Sequence, residues 1–188
     1  MSQTITHVVG FDDAPFLPSQ RGDVTLIGAV FCRLRLDGVL RDKVRRDGRN
    51  ATRVIAGLVR RSRFFPQLQC IMLQGIAMAG FNVVDIHRLS DTTGLPVVIV
   101  ARHSPDMSAI RSALLTQVPG GKTKWRLIEQ AGSMESMAGV YVQRVGISLL
   151  DTKRMMEALA VNGLIPEPLR TAHLIAAGLS GIPSHKRV

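Results

Sequence analysis

The sequence predicts an α/β protein with a mixed central sheet whose first three strands are antiparallel, and three patterns support this. Runs rich in β-branched residues open the chain. A stretch of helical spacing follows them, and continuous apolar runs then return. Alternating and continuous apolar runs are the marks of half-buried and fully buried strands, and a 3.6-residue period marks the helices that cover them.

Residues 5–12 and 24–33 are rich in Val, Ile and Thr and flank a loop carrying Pro15, Pro18 and Gly22. They read as two adjacent strands. Residues 33–45 alternate through Leu34, Leu36 and Val39, so a hairpin partner follows, with Asp37-Gly38 as its turn signal. From Asn50, residues Ala51, Val54, Ile55 and Leu58 recur at helical spacing, which predicts a helix over 50–61 capped by Asp47 or Asn50. Residues 70–73 and 95–101 are continuous apolar runs, as in strands buried on both faces. Ser104-Pro105-Asp106 marks a helix start with proline at the first position, and Ile110, Leu114 and Leu115 carry the helix to Val118. Residues 120–124, Gly-Gly-Lys-Thr-Lys, read as a mobile basic turn, because the spacing of a phosphate loop is missing. Residues 125–129 and 139–143 read as strands, and 149–159 and 167–179 as helices. One domain over residues 1–183 is expected, with a disordered tail at 184–188.

An apolar fraction of 46% with 20% charged residues suits one sizeable core. The amino terminus has no cationic start followed by an apolar run, and the longest apolar stretch, 95–101, is far shorter than a membrane span. A cytoplasmic protein without a membrane partner is expected. The two cysteines, Cys32 and Cys70, lie in apolar runs and read as small core residues in a reducing compartment. Twenty-four Lys and Arg against 14 Asp and Glu give a formal charge of +10, a field that an anionic polymer would feel. Nucleic acid, DNA or RNA, is the natural partner; solubility and an acidic protein partner are the alternatives.

Asp12 and Asp13 end a buried apolar run, where carboxylates need neutralising. Two readings fit: a divalent metal held at the strand end, or an Asx turn at Asp13 with Asp12 paired to an arginine. At about 100° per residue, Arg46, Arg49, Arg53 and Arg60 share a stripe opposite Ala51, Val54, Ile55 and Leu58. Arg41, Lys43, Arg45, Arg61 and Arg63 thicken it. The stripe reads either as a track for phosphates or as a solvated helix face. With one Trp and one Tyr, backbone contact is favoured over base stacking. His173 shares a helix face with Leu169 and Ala176 and reads as a core histidine or as a ligand. Zinc Cys-x-x-Cys pairs, nucleophile elbows and dinucleotide glycine motifs are absent.

Three segments carry a resemblance: Gly10-Phe11-Asp12-Asp13-Ala14-Pro15-Phe16, Gly80-Phe81-Asn82-Val83-Val84-Asp85-Ile86, and Ile165-Pro166-Glu167-Pro168-Leu169-Arg170-Thr171-Ala172-His173. Over most of its length the chain resembles an archaeal protein family related to endonuclease V, the deoxyinosine-specific endonuclease. That group carries a Gly-x-Asp motif matching Gly10 to Asp12, and a Pro-Glu-Pro-x-Arg-x-Ala-His motif matching Pro166 to His173. The resemblance implies a ribonuclease-H-like fold and Mg2+ or Mn2+ held by carboxylates, which activates water to cut a phosphodiester beside a deaminated purine. It makes Asp12 the central ligand, puts His173 at the rim, and gives Asp47 the place of a glutamate that precedes the first major helix. Where the nuclease has a strand-end Asp-Gly pair, this chain has Gln74-Gly75. Losing one of about three carboxylates weakens the basis for two cations about 4 Å apart, although Asp13 and Asp85 stand beside the surviving motifs. The implied function is a nucleic-acid-binding protein with metal-dependent endonuclease activity; the alternative is a catalytically inactive nucleic-acid or protein binding module.

Overall fold

The structure, a computed structural model, describes residues 4–181; the expected tail lies outside them. Strands β1 (His7–Asp13), β2 (Asp23–Cys32) and β3 (Arg35–Arg45) form the expected antiparallel series, in register through Phe11↔Gly28↔Leu40. The β2–β3 turn falls at Arg33 and Leu34, with Arg33 at φ +55°. Asp37-Gly38 is therefore not the turn. It lies inside β3, where the register shifts so that Val30 faces Gly38 and Phe31 faces Leu36, leaving Asp37 as the extra residue of a bulge. The glycine is needed for packing, since a Cβ at position 38 would lie 2.3 Å from the Phe64 ring.

Helix α1 (Ala51–Arg61) follows, with Ala51, Val54, Ile55, Ala56 and Val59 buried. Neither expected residue caps it by side chain. Asn82 Oδ1 accepts the Ala51 N–H at 3.0 Å, while Asn50 Oδ1 accepts from the Arg45 N–H and from Asn82 Nδ2. Strand β4 (Cys70–Gln74) pairs parallel with β1. The polar segment beyond it holds a two-residue hairpin, β5 (Ala77–Met78) and β6 (Asn82–Val83), and a helix, α2 (Ile86–Thr93), capped by Asp85. Strand β7 (Val97–Ala101) pairs parallel with β4.

Helix α3 (Met107–Gln117) is capped by Asp106, which accepts the Ala109 N–H, so Pro105 lies just outside it rather than at its first position. Next is α4 (Gly121–Gln130), where a basic turn and then a strand were expected. Its buried residues, Gly121, Lys124 and Ile128, sit at i, i+3 and i+7, and the buried lysine hides that period from a hydrophobicity reading. The chain ends with β8 (Glu135–Met137), β9 (Val140–Val145), α5 (Leu149–Leu159) and α6 (Glu167–Ser180).

The sheet order is β3-β2-β1-β4-β7-β9-β8, with β9 antiparallel to its neighbours. Strand β1 is interior, and Val8 and Val9 are both fully buried. Val8, Cys70, Met72, Val98 and Val100 pack on α5 and on Leu169 of α6. Val9, Phe11, Ile71, Leu73 and Ile99 belong with the apolar faces of α1 and α2. The sheet is thus covered on both sides, and α3 and α4 pack through Leu114 and Ile128 on Val83.

Candidate metal and nucleic-acid site

Alternation along β1 sends Gly10 and Asp12 to the α6 face and Phe11 to the other. Gly10 is required there, because a Cβ would stand 2.5 Å from the Pro168 carbonyl carbon. Helix α6 therefore lies almost on the strand. The same approach brings His173, one turn after Leu169, to Asp12: His173 Nδ1 donates to Asp12 Oδ2 at 2.8 Å. Asp12 Oδ1 accepts the Asp13 N–H at 2.9 Å. Asp12 is 1% exposed and His173 5%.

The rest of the Pro166–His173 motif sets the start of α6. Glu167 accepts from Arg170 Nε and Nη2 (2.9 and 2.7 Å) and from Asn162 Nδ2 (3.1 Å). The Arg170 guanidinium, bonded directly to it, holds its carboxyl below the usual glutamate range. Glu167 and Arg170 thus serve the placement of His173 rather than the site itself.

Parallel pairing of Phe11 with Leu73 continues to Asp12 beside Gln74, and Gln74 shares the face of Met72 and Cys70, which is also that of Asp12. Gln74 Oε1 and His173 Nε2 are buried and without a hydrogen-bond partner. Buried atoms of this kind are costly and commonly mark a place for an ion or ligand. The remaining carboxylates are elsewhere. Asp13 alternates to the opposite face. Asp47, at φ +50°, accepts the Phe81 N–H at 2.8 Å and is tied to the β5–β6 turn. Asp85 caps α2.

The donor set suits one hard cation and not a pair. Mg2+ is commonly held by one or two carboxylates, with water and substrate phosphate completing its shell; Asp12 with the neutral oxygen of Gln74 meets that demand, while Asp23, which the register puts on the same face, is paired with Arg45 Nε at 3.0 Å. Among the described residues, the one group of three His, Cys, Asp or Glu side chains with ligand atoms within 4.8 Å of one another is His7, Cys32 and Asp37, at the other end of β1.

The arginine stripe divides. Arg46 turns back, donating from Nη1 to the carbonyls of Pro18 (2.6 Å) and Gln20 and stacking 5.2 Å from the Phe16 ring, so it holds the 16–20 loop. Arg53 and Arg60, with Arg61 and Arg88, line a groove of about 440 Å³ between α1 and α2, and Arg49 with Lys124 lines its continuation. This groove is on the opposite side of the sheet from Asp12. Strand β3 brings exposed cations to the Asp12 face, since Asp12 pairs with Ile27 and Ile27 with Arg41. Arg41, Lys43 and Arg45 all point that way, Arg41 two strand spacings from Asp12, roughly 10 Å. Residues 41–45 alternate with the period of two of a strand, which sets them apart from the helical spacing of Arg49, Arg53 and Arg60. An apolar pocket of about 460 Å³, lined by Gly75, Ile76, Phe81, Ala101, Met107 and Tyr141, opens at the ends of β4 and β7 immediately after Gln74.

The strand order and the helices on both faces define a ribonuclease-H-like α/β protein with a strand-end carboxylate. The chain belongs to the Endonuclease dU family, whose model matches residues 4–180. A UPF0215 protein of Deinococcus radiodurans is 53% identical over 176 residues, covering 94% of this chain and 90% of that protein. One from Methanothermobacter thermautotrophicus is 46% identical over 178 residues, covering 93% and 87%. The family thus extends beyond the archaea. A crystal structure of a protein of unknown function from Archaeoglobus fulgidus superimposes with a TM-score of 0.86 at 33% identity, covering 93% of this chain and 98% of that one. Endonuclease V of Bacillus subtilis gives a TM-score of 0.60 at 11% identity, covering 94% and 81%. That of Ciona intestinalis, in complex with DNA containing an inosine followed by a ribo-adenosine, gives 0.56 at 13%, covering 89% and 83%. The two endonucleases share the fold. Among the described residues no helix is long and apolar enough to cross a membrane.

Proposed function

We propose that this protein is a divalent-metal-dependent endonuclease acting on nucleic acid that carries a deaminated base, deoxyuridine in DNA being the first candidate from the family's name. The observation that carries this reading is the buried Asp12–His173 pair beside Gln74, with two unpartnered polar atoms at the end of an interior strand. Asp12, aided by Gln74, would hold Mg2+ or Mn2+, which when bound polarises the phosphodiester and acidifies a water. His173 Nδ1–H fixes the Asp12 carboxylate. Its Nε2, which carries a lone pair in that tautomer, would take the proton released by the attacking water. The adjoining pocket, apolar and edged by the Gly75 backbone, suits a base turned out of the stack. Arg41 and Lys43 would hold the phosphates of the strand being cut, while Arg49, Arg53 and Arg60 hold flanking backbone.

The test is cleavage of uracil-containing, inosine-containing and undamaged DNA with Mg2+ or Mn2+. Wild type should cut the deaminated strands only, and Asp12→Asn should abolish cutting. Gln74→Asp should tighten Mg2+ binding in calorimetry, an effect that depends on Asp12 because one cation couples both positions. Gln74, a neutral residue at the second strand end, favours a second reading, an inactive nucleic-acid-binding module. Binding without cleavage in wild type, together with unchanged metal affinity in Gln74→Asp, would establish that reading instead.

A further inference from the structure

We infer that His7, Cys32 and Asp37 form a second metal site, matched to Zn2+, which clips β1, β2 and β3 together at the end of the sheet remote from Asp12. Ligand atoms of the three side chains lie within 4.8 Å of one another, and all three residues are half-buried. The topology explains why they meet. His7 pairs with Cys32 across β1 and β2, so both side chains share the face of Val9 and Val30. Asp37 is the extra residue of the β3 bulge, directly before Gly38, which pairs with Val30 on that face. The bulge thereby presents a carboxylate where regular pairing has none, one of the recurrent uses of bulges.

The hydrogen bonds around His7 accommodate the tautomer that a metal requires. Gln69 Oε1 accepts two backbone N–H groups, from Thr6 at 2.7 Å and from His7 at 3.0 Å, which fixes that atom as the oxygen. The Thr6 hydroxyl, 3.2 Å away, must therefore donate to it. With its proton directed to Gln69, Thr6 Oγ1 accepts from His7 Nδ1 at 3.0 Å. The Nδ1–H form that results leaves a lone pair on Nε2, and a ligating histidine whose other ring nitrogen donates outward is the common arrangement around protein metals. Arg35 Nε donates to Asp37 Oδ1 at 2.7 Å, and the carboxylate retains further lone pairs for a cation. One nitrogen, one sulfur and one oxygen suit Zn2+, with the fourth tetrahedral position left to water. The site uses none of the residues of the proposed nuclease centre.

Chelator-treated full-length protein titrated with Co2+ tests this directly, since a cobalt–thiolate bond gives a near-ultraviolet charge-transfer band. One equivalent should produce the band, Zn2+ should displace it, and Cys32→Ser should remove it. Asp37→Asn should weaken binding at least about tenfold, and Thr6→Val, which leaves every ligand in place, by about 10- to 100-fold. Asp12→Asn should leave the titration unchanged, so this site and the nuclease reading can fail separately. Zn2+ should also protect Cys32 from alkylation in native protein, whereas Cys70, fully buried with its thiol pushed up to about 12 by that burial, should stay unreactive with or without the metal. Cobalt bound without a thiolate band, equal affinity in wild type and Thr6→Val, or alkylation of Cys32 unaffected by Zn2+ would overturn the inference.

Discussion

At the scale of single residues, the Pro166–His173 motif separates into parts with different work. His173 reaches Asp12, while Glu167 and Arg170 close the first turn of α6 so that it can. The depressed carboxyl of Glu167 has a thermodynamic consequence. Its stabilising interaction is fully present above the ordinary glutamate range and is lost as pH falls through its lower folded value. Glu167→Gln should therefore lower stability by roughly 1.5–3 kcal/mol near neutrality, the worth of hydrogen bonds to a charged group. The deficit against wild type should shrink on acidification below the usual glutamate range. Denaturant melts of both proteins across that range check this, and a deficit independent of pH would contradict it. The sequence displayed Asp12, His173 and the departure at Gln74 because each stands in a linear motif. It could not display that Asp47 and Asp85 are committed to a turn and a helix cap, since those partners, Phe81 and Arg88, are fixed by the tertiary path and the local backbone.

At the scale of elements, the contact between β1 and α6 is the closest constraint on the site. Gly10→Ala would put a methyl 2.5 Å from the Pro168 carbonyl carbon. Overpacking of this kind costs about 1–3 kcal/mol, and here it would also push His173 from Asp12. A lowered melting temperature with loss of any cleavage is expected; a stable and active variant would show that α6 is not seated by this approach. Strand β3 and helix α1 make a second pair of expectations. Arg41→Ala with Lys43→Ala, on the Asp12 face, should flatten the salt dependence of binding by about one to two units. Arg49→Ala with Arg53→Ala, across the sheet, should have the smaller effect. Salt titrations of both double variants compare the surfaces, and the reverse ranking would move the footprint to the α1 groove. Helices α1, α5 and α6 were legible because their apolar stripes are regular. Helix α4 was not, because Lys124 occupies a buried position at 2% exposure and donates through Nζ to the Asp47 carbonyl at 2.5 Å. Burial lowers its pKa, and no pattern based on apolarity finds a buried cation.

At the scale of the whole molecule, the sheet separates two groups of cations, one on the β3 surface facing the Asp12 side and one in the α1–α2 groove, which a single count of +10 merges. The antiparallel opening and the parallel middle of the sheet were readable from alternation and from continuous apolar runs. The β5–β6 hairpin was too short to leave a period. Strand β3 has one further consequence, which concerns neighbours in solution rather than substrate. It is eleven residues long and lies at the margin of a seven-stranded sheet, so one side of its backbone is a template on which another chain could add a strand. Its kink at Asp37 breaks the straight run that such growth needs, and Arg41, Lys43 and Arg45 would set like charges against an incoming copy. The basic residues proposed to meet phosphates at this margin thus also oppose the addition of a further strand there.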